Sequence, residues 1–204
     1  MGPFSLSRLK ERLAPDLPPP APPAPPPGLV PAGVLVPVFE QDGKLKVLFT
    51  QRTLTVKDHR GQISFPGGVK DAADPDLMAT ALRETEEEIG LEPGLVEVLG
   101  WLPPVATITG YAITAFVGGI PHPFEFRPNP REVERLLILP LEGFVPPERW
   151  STGPYAFQGR VTRVCCWRYQ QEVVWGATAR ILVNLLAALG HHPIPGDRHA
   201  TCVD

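Results

Sequence analysis

Cysteine is scarce in this chain. There are three in 204 residues, Cys165, Cys166 and Cys202. Their number and spacing fit neither a disulfide framework nor a zinc site, and a reducing compartment is the simpler expectation. Long hydrophobic runs are missing too: none reaches the roughly 20 residues that a membrane-spanning helix needs. The N-terminus has no signal-peptide h-region. Leu6 stands where a myristoylation pattern needs Ser or Thr. These absences predict a cytoplasmic protein. Charge of one sign is not in excess either, with 19 Lys and Arg against 22 Asp and Glu, a net charge of −3. That balance argues against a general nucleic-acid or membrane-surface binder. The expected partner is a small molecule, with no nucleic acid and no membrane, and a homodimer is left open.

Proline, in contrast, is abundant, and it divides the chain. Residues 1–31 read as a short N-terminal helix followed by a Pro-rich segment. Phe4 to Leu13 places Leu6, Leu9 and Leu13 on one side, with Arg8, Lys10 and Arg12 around them. Pro15 to Pro31 should be extended polyproline II, because proline fixes φ and removes N–H donors. It reads as a stiff linker rather than a docking peptide. Residues 32–190 are long enough for one domain with a sizeable core. Residues 191–204 form a tail, and its histidines, His191, His192 and His199, are not expected to bind metal.

Within the domain, period-two apolar runs predict strands from Ala32 and from Lys44, joined by an Asp42-Gly43 hairpin turn. Further strands are expected over Leu95–Leu102, Thr109–Ile120 and from Arg131 into the apolar run ending at Pro140. A late hairpin is expected over Gly159–Tyr169 and Gln170–Val174. Ala177 to Leu189 reads as a helix between Gly176 and Gly190. Trp101, Tyr111 and Trp175 read as core or rim residues rather than as stacking platforms.

The stretch from Gly67 to Gly90, GGVKDAADPDLMATALRETEEEIG, carries the chemistry. Four acids, Glu84, Glu86, Glu87 and Glu88, occupy five positions. At helical spacing such like charges repel by roughly 0.2–0.5 kcal/mol per pair. A cation would offset that repulsion, and oxygen-only ligands suit a hard divalent ion, Mg²⁺ or Mn²⁺. The helix is expected to start at Pro75, behind Asp74 as N-cap and with Asp76 in its first turn, to continue through the Gly- and Pro-free run Leu77–Ile89, and to stop at Gly90. Met78, Ala81, Leu82, Thr85 and Ile89 share the packing arc. Glu84, Glu87 and Glu88 fill the next arc, and Glu86 faces solvent.

These residues resemble the Nudix box, the loop–helix–loop signature of Nudix hydrolases. Gly68, Arg83, Glu84, Glu87, Glu88, Gly90 and Leu91 occupy its places. Thr85 replaces the usual aliphatic residue, and the loop carries one extra residue ahead of Arg83. Upstream, LFTQRTLTVKDHRGQISFPGG from Leu48 to Gly68 resembles the motif of the coenzyme A pyrophosphatases within that family. Thr50, Arg52, Gly61, Phe65, Pro66, Gly67 and Gly68 match, while Phe49 and Lys57 depart. VVWGATARIL from Val173 resembles the start of that group's C-terminal helix.

The resemblance implies an α/β Nudix fold, an α/β/α sandwich with a mixed sheet and a loop–helix–loop box. It implies metal-dependent hydrolysis of a pyrophosphate bond in coenzyme A or its thioesters. Glu84, Glu87 and Glu88 would bind Mg²⁺ or Mn²⁺. Glu84 is the first choice of general base and Glu132 a candidate from outside the box, while Arg83 would orient the glutamates. Arg52, Lys57, His59, Arg60, Gly67 and Gly68 would meet the substrate, the cations answering its extra phosphate. The alternatives are a Nudix pyrophosphatase for ADP-ribose or a nucleoside triphosphate, and a non-catalytic binding module. All the box glutamates are present, which disfavours the module.

Overall fold

The computed structural model describes residues 4–13, 23–24, 26–53 and 61–193. Most of the Pro-rich segment, Lys57, His59, Arg60, His199 and Cys202 lie outside them. The described elements are α1 (Leu6–Leu13), β1 (Val30–Gln41), β2 (Lys44–Arg52), β3 (Ile63–Ser64), β4 (Gly67–Val69), α2 (Leu77–Ile89) and β5 (Glu97–Ala106). They continue with β6 (Tyr111–Gly119), β7 (Val133–Pro140), β8 (Trp150–Phe157), β9 (Arg160–Tyr169), β10 (Glu172–Trp175) and α3 (Gly176–Ala188). No described helix is long and apolar enough to cross a membrane.

The central sheet is mixed and runs β3-β2-β1-β6-β5, with β4 added to β1 and β7 to β2. β1 and β6 are parallel. β1 is apolar along its length because both its faces are covered. Leu35 and Phe39 pack beneath α2 with Leu48, Ala81, Ile89 and Phe116. Val34, Val36 and Val38, alternate in sequence, face the other way. There they meet Val47, Phe49, and Ile181, Leu182 and Leu185 of α3. The layers are therefore α/β/α, as the sequence implies. α1 joins the α3 layer, with Leu9 fully buried in the same core. The turn between β1 and β2 has positive φ at both Asp42 (52°) and Gly43 (68°), which matches the twist of a two-residue hairpin.

A second sheet, β10-β9-β8, stands beside the first. The sequence predicts β9 and β10 but not β8, whose Gly153 and Pro154 disguise it as a loop. β8 is recruited by tertiary packing. Trp150 and Trp167 are cross-strand partners, both about 1% exposed, and the Trp150 indole donates to the Phe144 carbonyl at 2.7 Å.

The start of α2 differs from expectation. Asp76, not Asp74, is the N-cap: its backbone is extended and its carboxylate accepts from the Ala79 N–H at 2.8 Å. Asp74 is instead 7% exposed and committed elsewhere. Met78 is 38% exposed, and Thr80, fully buried, takes the packing place assigned to it. Asp76→Ala is expected to cost about 1 kcal/mol of stability, the usual value for a lost cap, and urea unfolding measures it.

Candidate active site

Close backbone approach sets the position of α2. Gly33 in β1 lies directly under the first turn, and a Cβ there would fall 2.2 Å from the Leu77 carbonyl oxygen. Gly33 also pairs with Gly68 of β4. A Cβ on Gly68 would fall 2.5 Å from the Glu84 carboxyl carbon. The Gly67-Gly68 pair therefore leaves the Glu84 carboxylate seated on bare backbone.

Arg83 is the hub of the helix. Its Nε and Nη2 each donate to Asp74 at 3.0 Å. Its Nη1 lies 2.9 Å from Glu84 Oε1 and donates to both Glu87 oxygens at 3.3 Å. Asp74 also accepts from the Asp71 N–H and the Thr80 hydroxyl, each at 2.9 Å. Hydrogen bonding to Arg83, followed by the Asp71 N–H, holds the Asp74 carboxyl far below its usual range. The same contact raises the Arg83 pKa above its already high value. Arg83 thus faces acids of its own chain and fixes their geometry. The extra loop residue ahead of Arg83 does not keep Asp74 out of this clamp.

A depressed carboxyl contributes stability that is full above its unfolded pKa and is lost as pH falls toward its folded value. Stability should therefore start to fall near pH 4 and keep falling through the acid range. Thermal melts between pH 2 and pH 7 should show a shallower acid slope for Asp74→Asn, alongside a lower melting temperature at pH 7.

Glu88 is the buried acid of the site, 3% exposed. Its pKa is pushed up to about 8, chiefly by burial. Arg52 opposes the shift, Glu132 and Glu84 add to it, and an N–H from Gly67 opposes it weakly. The Thr50 hydroxyl lies at 3.5 Å and Arg52 Nη1 at 3.8 Å. The Glu84 pKa is also raised, again by burial first and against the pull of Arg83.

Glu132 reaches the same place from outside the helix. Its loop is docked on the end of α2, where Asn129 N–H donates to the Glu88 carbonyl at 2.8 Å and Arg127 N–H to the Ile89 carbonyl at 2.8 Å. The Asn129 amide then donates to the Glu132 carboxylate at 3.3 Å. Arg52 Nε is buried and has no hydrogen-bond partner among the described residues.

Glu84, Glu88, Glu132, Arg52, Gly67 and Gly68 all line one cleft of about 820 Å³. Its other walls come from residues 103–109, Tyr111, Tyr155, Trp175 and the start of α3. Tyr155 and Trp175 lie with ring centroids 5.2 Å apart. Glu87 differs from the other two box acids: its side chain is 55% exposed and stands beside Arg83, and Glu87 does not line the cleft. Glu86 faces solvent, as expected. Among the described residues no three Asp, Glu, His or Cys side chains form a ready-made nest for an ion.

Residues 29–156 match the family model described as the NUDIX domain. The chain belongs to the Nudix family. Two relatives have the name "Uncharacterized Nudix hydrolase NudL", one from Escherichia coli O1:K1 / APEC and one from Shigella boydii serotype 18. Each is 38% identical over 162 residues, covering 79% of this chain and 84% of the relative. Among solved structures, a binary complex of the C. elegans Ap4A hydrolase aligns with a TM-score of 0.48 and 20% identity. That alignment covers 54% of this chain and 80% of the other.

As a Nudix hydrolase, the protein belongs to a group that generally acts with divalent metal ions. The donor chemistry here fits such an ion. Glu84 and Glu88 offer only oxygens, both have raised pKa values, and the absent Gly68 side chain gives the Glu84 carboxylate its seat. Sequence reasoning did not identify the clamp on Asp74 or the cleft wall built by β9 and α3. The clamp has no local signature, because Asp74 and Arg83 are nine residues apart. The wall depends on β8, which the sequence hides.

Proposed function

We propose that this Nudix hydrolase splits the pyrophosphate bond of coenzyme A and its thioesters. The products would be 3′,5′-ADP and 4′-phosphopantetheine or its acyl form. One observation carries the reading. The upstream motif and the box meet at a single cleft, where Arg52, Phe65, Gly67 and Gly68 stand beside Glu84 and Glu88. The cleft then continues past apolar and aromatic walls, with room for a long, two-ended substrate.

Glu84 and Glu88 would hold the metal, with Glu87 approaching from the exposed side of the same arc. A bound divalent ion neutralises pyrophosphate charge and acidifies water. The remaining work falls to the chain. The Arg52 guanidinium, on the cleft wall, donates to a phosphate oxygen. Glu84 or Glu132 accepts the proton as water oxygen bonds to phosphorus and the bridging P–O bond breaks. Their places support the reading: Glu84 is seated on Gly68, and Glu132 lines the cleft from its own loop. Arg83 keeps the glutamates in place. The Phe65-Pro66 turn, both residues buried, fixes the backbone beneath them.

The test is a panel of coenzyme A, acyl-coenzyme A, ADP-ribose, NADH and nucleoside triphosphates, each with Mg²⁺ or Mn²⁺. The highest kcat/KM should fall on coenzyme A or a thioester. Faster turnover of ADP-ribose or a triphosphate would overturn the substrate but not the chemistry.

A further inference from the structure

The cleft has a second polar region, remote in sequence from the box. α3 opens onto the cleft, and Gly176, Ala177 and Thr178 of its first turn line the wall. Trp175 sits at the N-cap position and makes no side-chain cap hydrogen bond. The first N–H groups of a helix have no partner within the helix and bear partial positive charge, a combination suited to phosphate.

Thr178 adds an independent sign. It is 9% exposed and lines the cleft, yet its hydroxyl has no hydrogen-bond partner among the described residues. The hydroxyl is thereby left to groups that enter the cleft. Arg180 lines the same wall and forms no ion pair among the described residues; its guanidinium reaches the Cys165 thiol, which places it. Arg163 lines the cleft from β9 and donates to the Thr152 hydroxyl at 2.8 Å. The acids lining the cleft are Glu84, Glu88 and Glu132, from α2 and the loop docked on it. The α3–β9 wall contributes none.

We propose that the start of α3, with Thr178, Arg180 and Arg163, is an anion subsite. It holds a phosphate monoester of the substrate that is not the phosphate being cleaved. Resting on the function proposed above, that group is the 3′-phosphate of a coenzyme A-type molecule. Arg52 is then left to the pyrophosphate, because its guanidinium is tied to Glu88 at 3.8 Å.

Calorimetric titration of the full chain with 3′,5′-ADP and with 5′-AMP, without metal, tests the subsite apart from catalysis. The wild type should prefer 3′,5′-ADP by about tenfold or more, as expected for hydrogen bonds to a charged group. Arg180→Gln should reduce that preference by about tenfold, and Thr178→Val, close in shape, by a smaller factor. Thr178→Ser, which keeps the hydroxyl, should restore it.

The ratio of kcat/KM for coenzyme A over dephospho-coenzyme A should fall in parallel. Equal binding of the two nucleotides by the wild type, or unchanged ratios in the variants, overturns the subsite. If the variants lose the preference in titration while coenzyme A is not hydrolysed, the substrate assignment fails and the subsite stands.

Discussion

Glu88→Gln is expected to lower kcat by about a hundredfold or more while raising the melting temperature of the metal-free protein. The two effects share a cause. Glu88 is a nearly buried carboxylate whose nearest cation, Arg52, stays 3.8 Å away. Its folded pKa lies above the usual carboxylate value, at about 8. The charged form therefore weighs against the fold. That cost is full above pH 8 and is relieved as pH falls toward the ordinary value near 4.5.

Gln removes the cost, so the gain in stability should be largest near pH 9 and vanish near pH 4.5. A chain of this length shifts by roughly 2–4 °C for each kcal/mol. Glu84→Gln should follow the same pattern in activity. Glu86→Gln, on the solvent side, should be nearly silent. Parallel kinetics and melts across pH decide the matter, and equal activity losses at Glu86 and Glu88 would contradict the assigned helix face.

Gly33→Ala should be among the most damaging single methyl additions at the described glycines. The added carbon would meet the Leu77 carbonyl oxygen at 2.2 Å and the Ala81 nitrogen at 3.2 Å. Both are backbone, so no rotamer change relieves the clash, and α2 must lift from β1. Overpacking of this kind typically costs about 1–3 kcal/mol, and a backbone clash belongs at the upper end. The helix also carries Arg83, Glu84 and Glu88, so activity should fall with stability. Gly94→Ala is the control: nothing lies within 4 Å of its added carbon. Denaturant unfolding of both variants, with activity assayed below the midpoint, gives the answer. A Gly33→Ala protein as stable as the wild type would show that α2 does not rest on this contact.

Much of this was legible in the residues because the signals are local. β2 begins at Lys44 and ends at Arg52, and α2 ends at Ile89 before Gly90, both as the patterning implies. The apolar alternation and the turn at Asp42-Gly43 need no tertiary information. The exchange of roles between Asp74 and Asp76 shows where local reading ends. Both are good caps, and Arg83, nearly two turns into the helix, together with the Thr80 hydroxyl and the Asp71 N–H, decides which is drawn away. Glu87 teaches the same lesson: helical phase puts it beside Glu84 and Glu88, but not its side chain on the cleft wall. Glu132 and the α3 wall come together through long-range docking, which periodicity does not encode.

Hydrolysis of coenzyme A in ¹⁸O-labelled water, with Mn²⁺ or Mg²⁺ and mass spectrometry of the products, tests the central claim most directly. The account predicts 3′,5′-ADP and 4′-phosphopantetheine as the two products. One should carry a single ¹⁸O on its new phosphate, and both should be lost when the metal is chelated. Intact coenzyme A after prolonged incubation with metal, or cleavage at any bond other than the pyrophosphate, would contradict it.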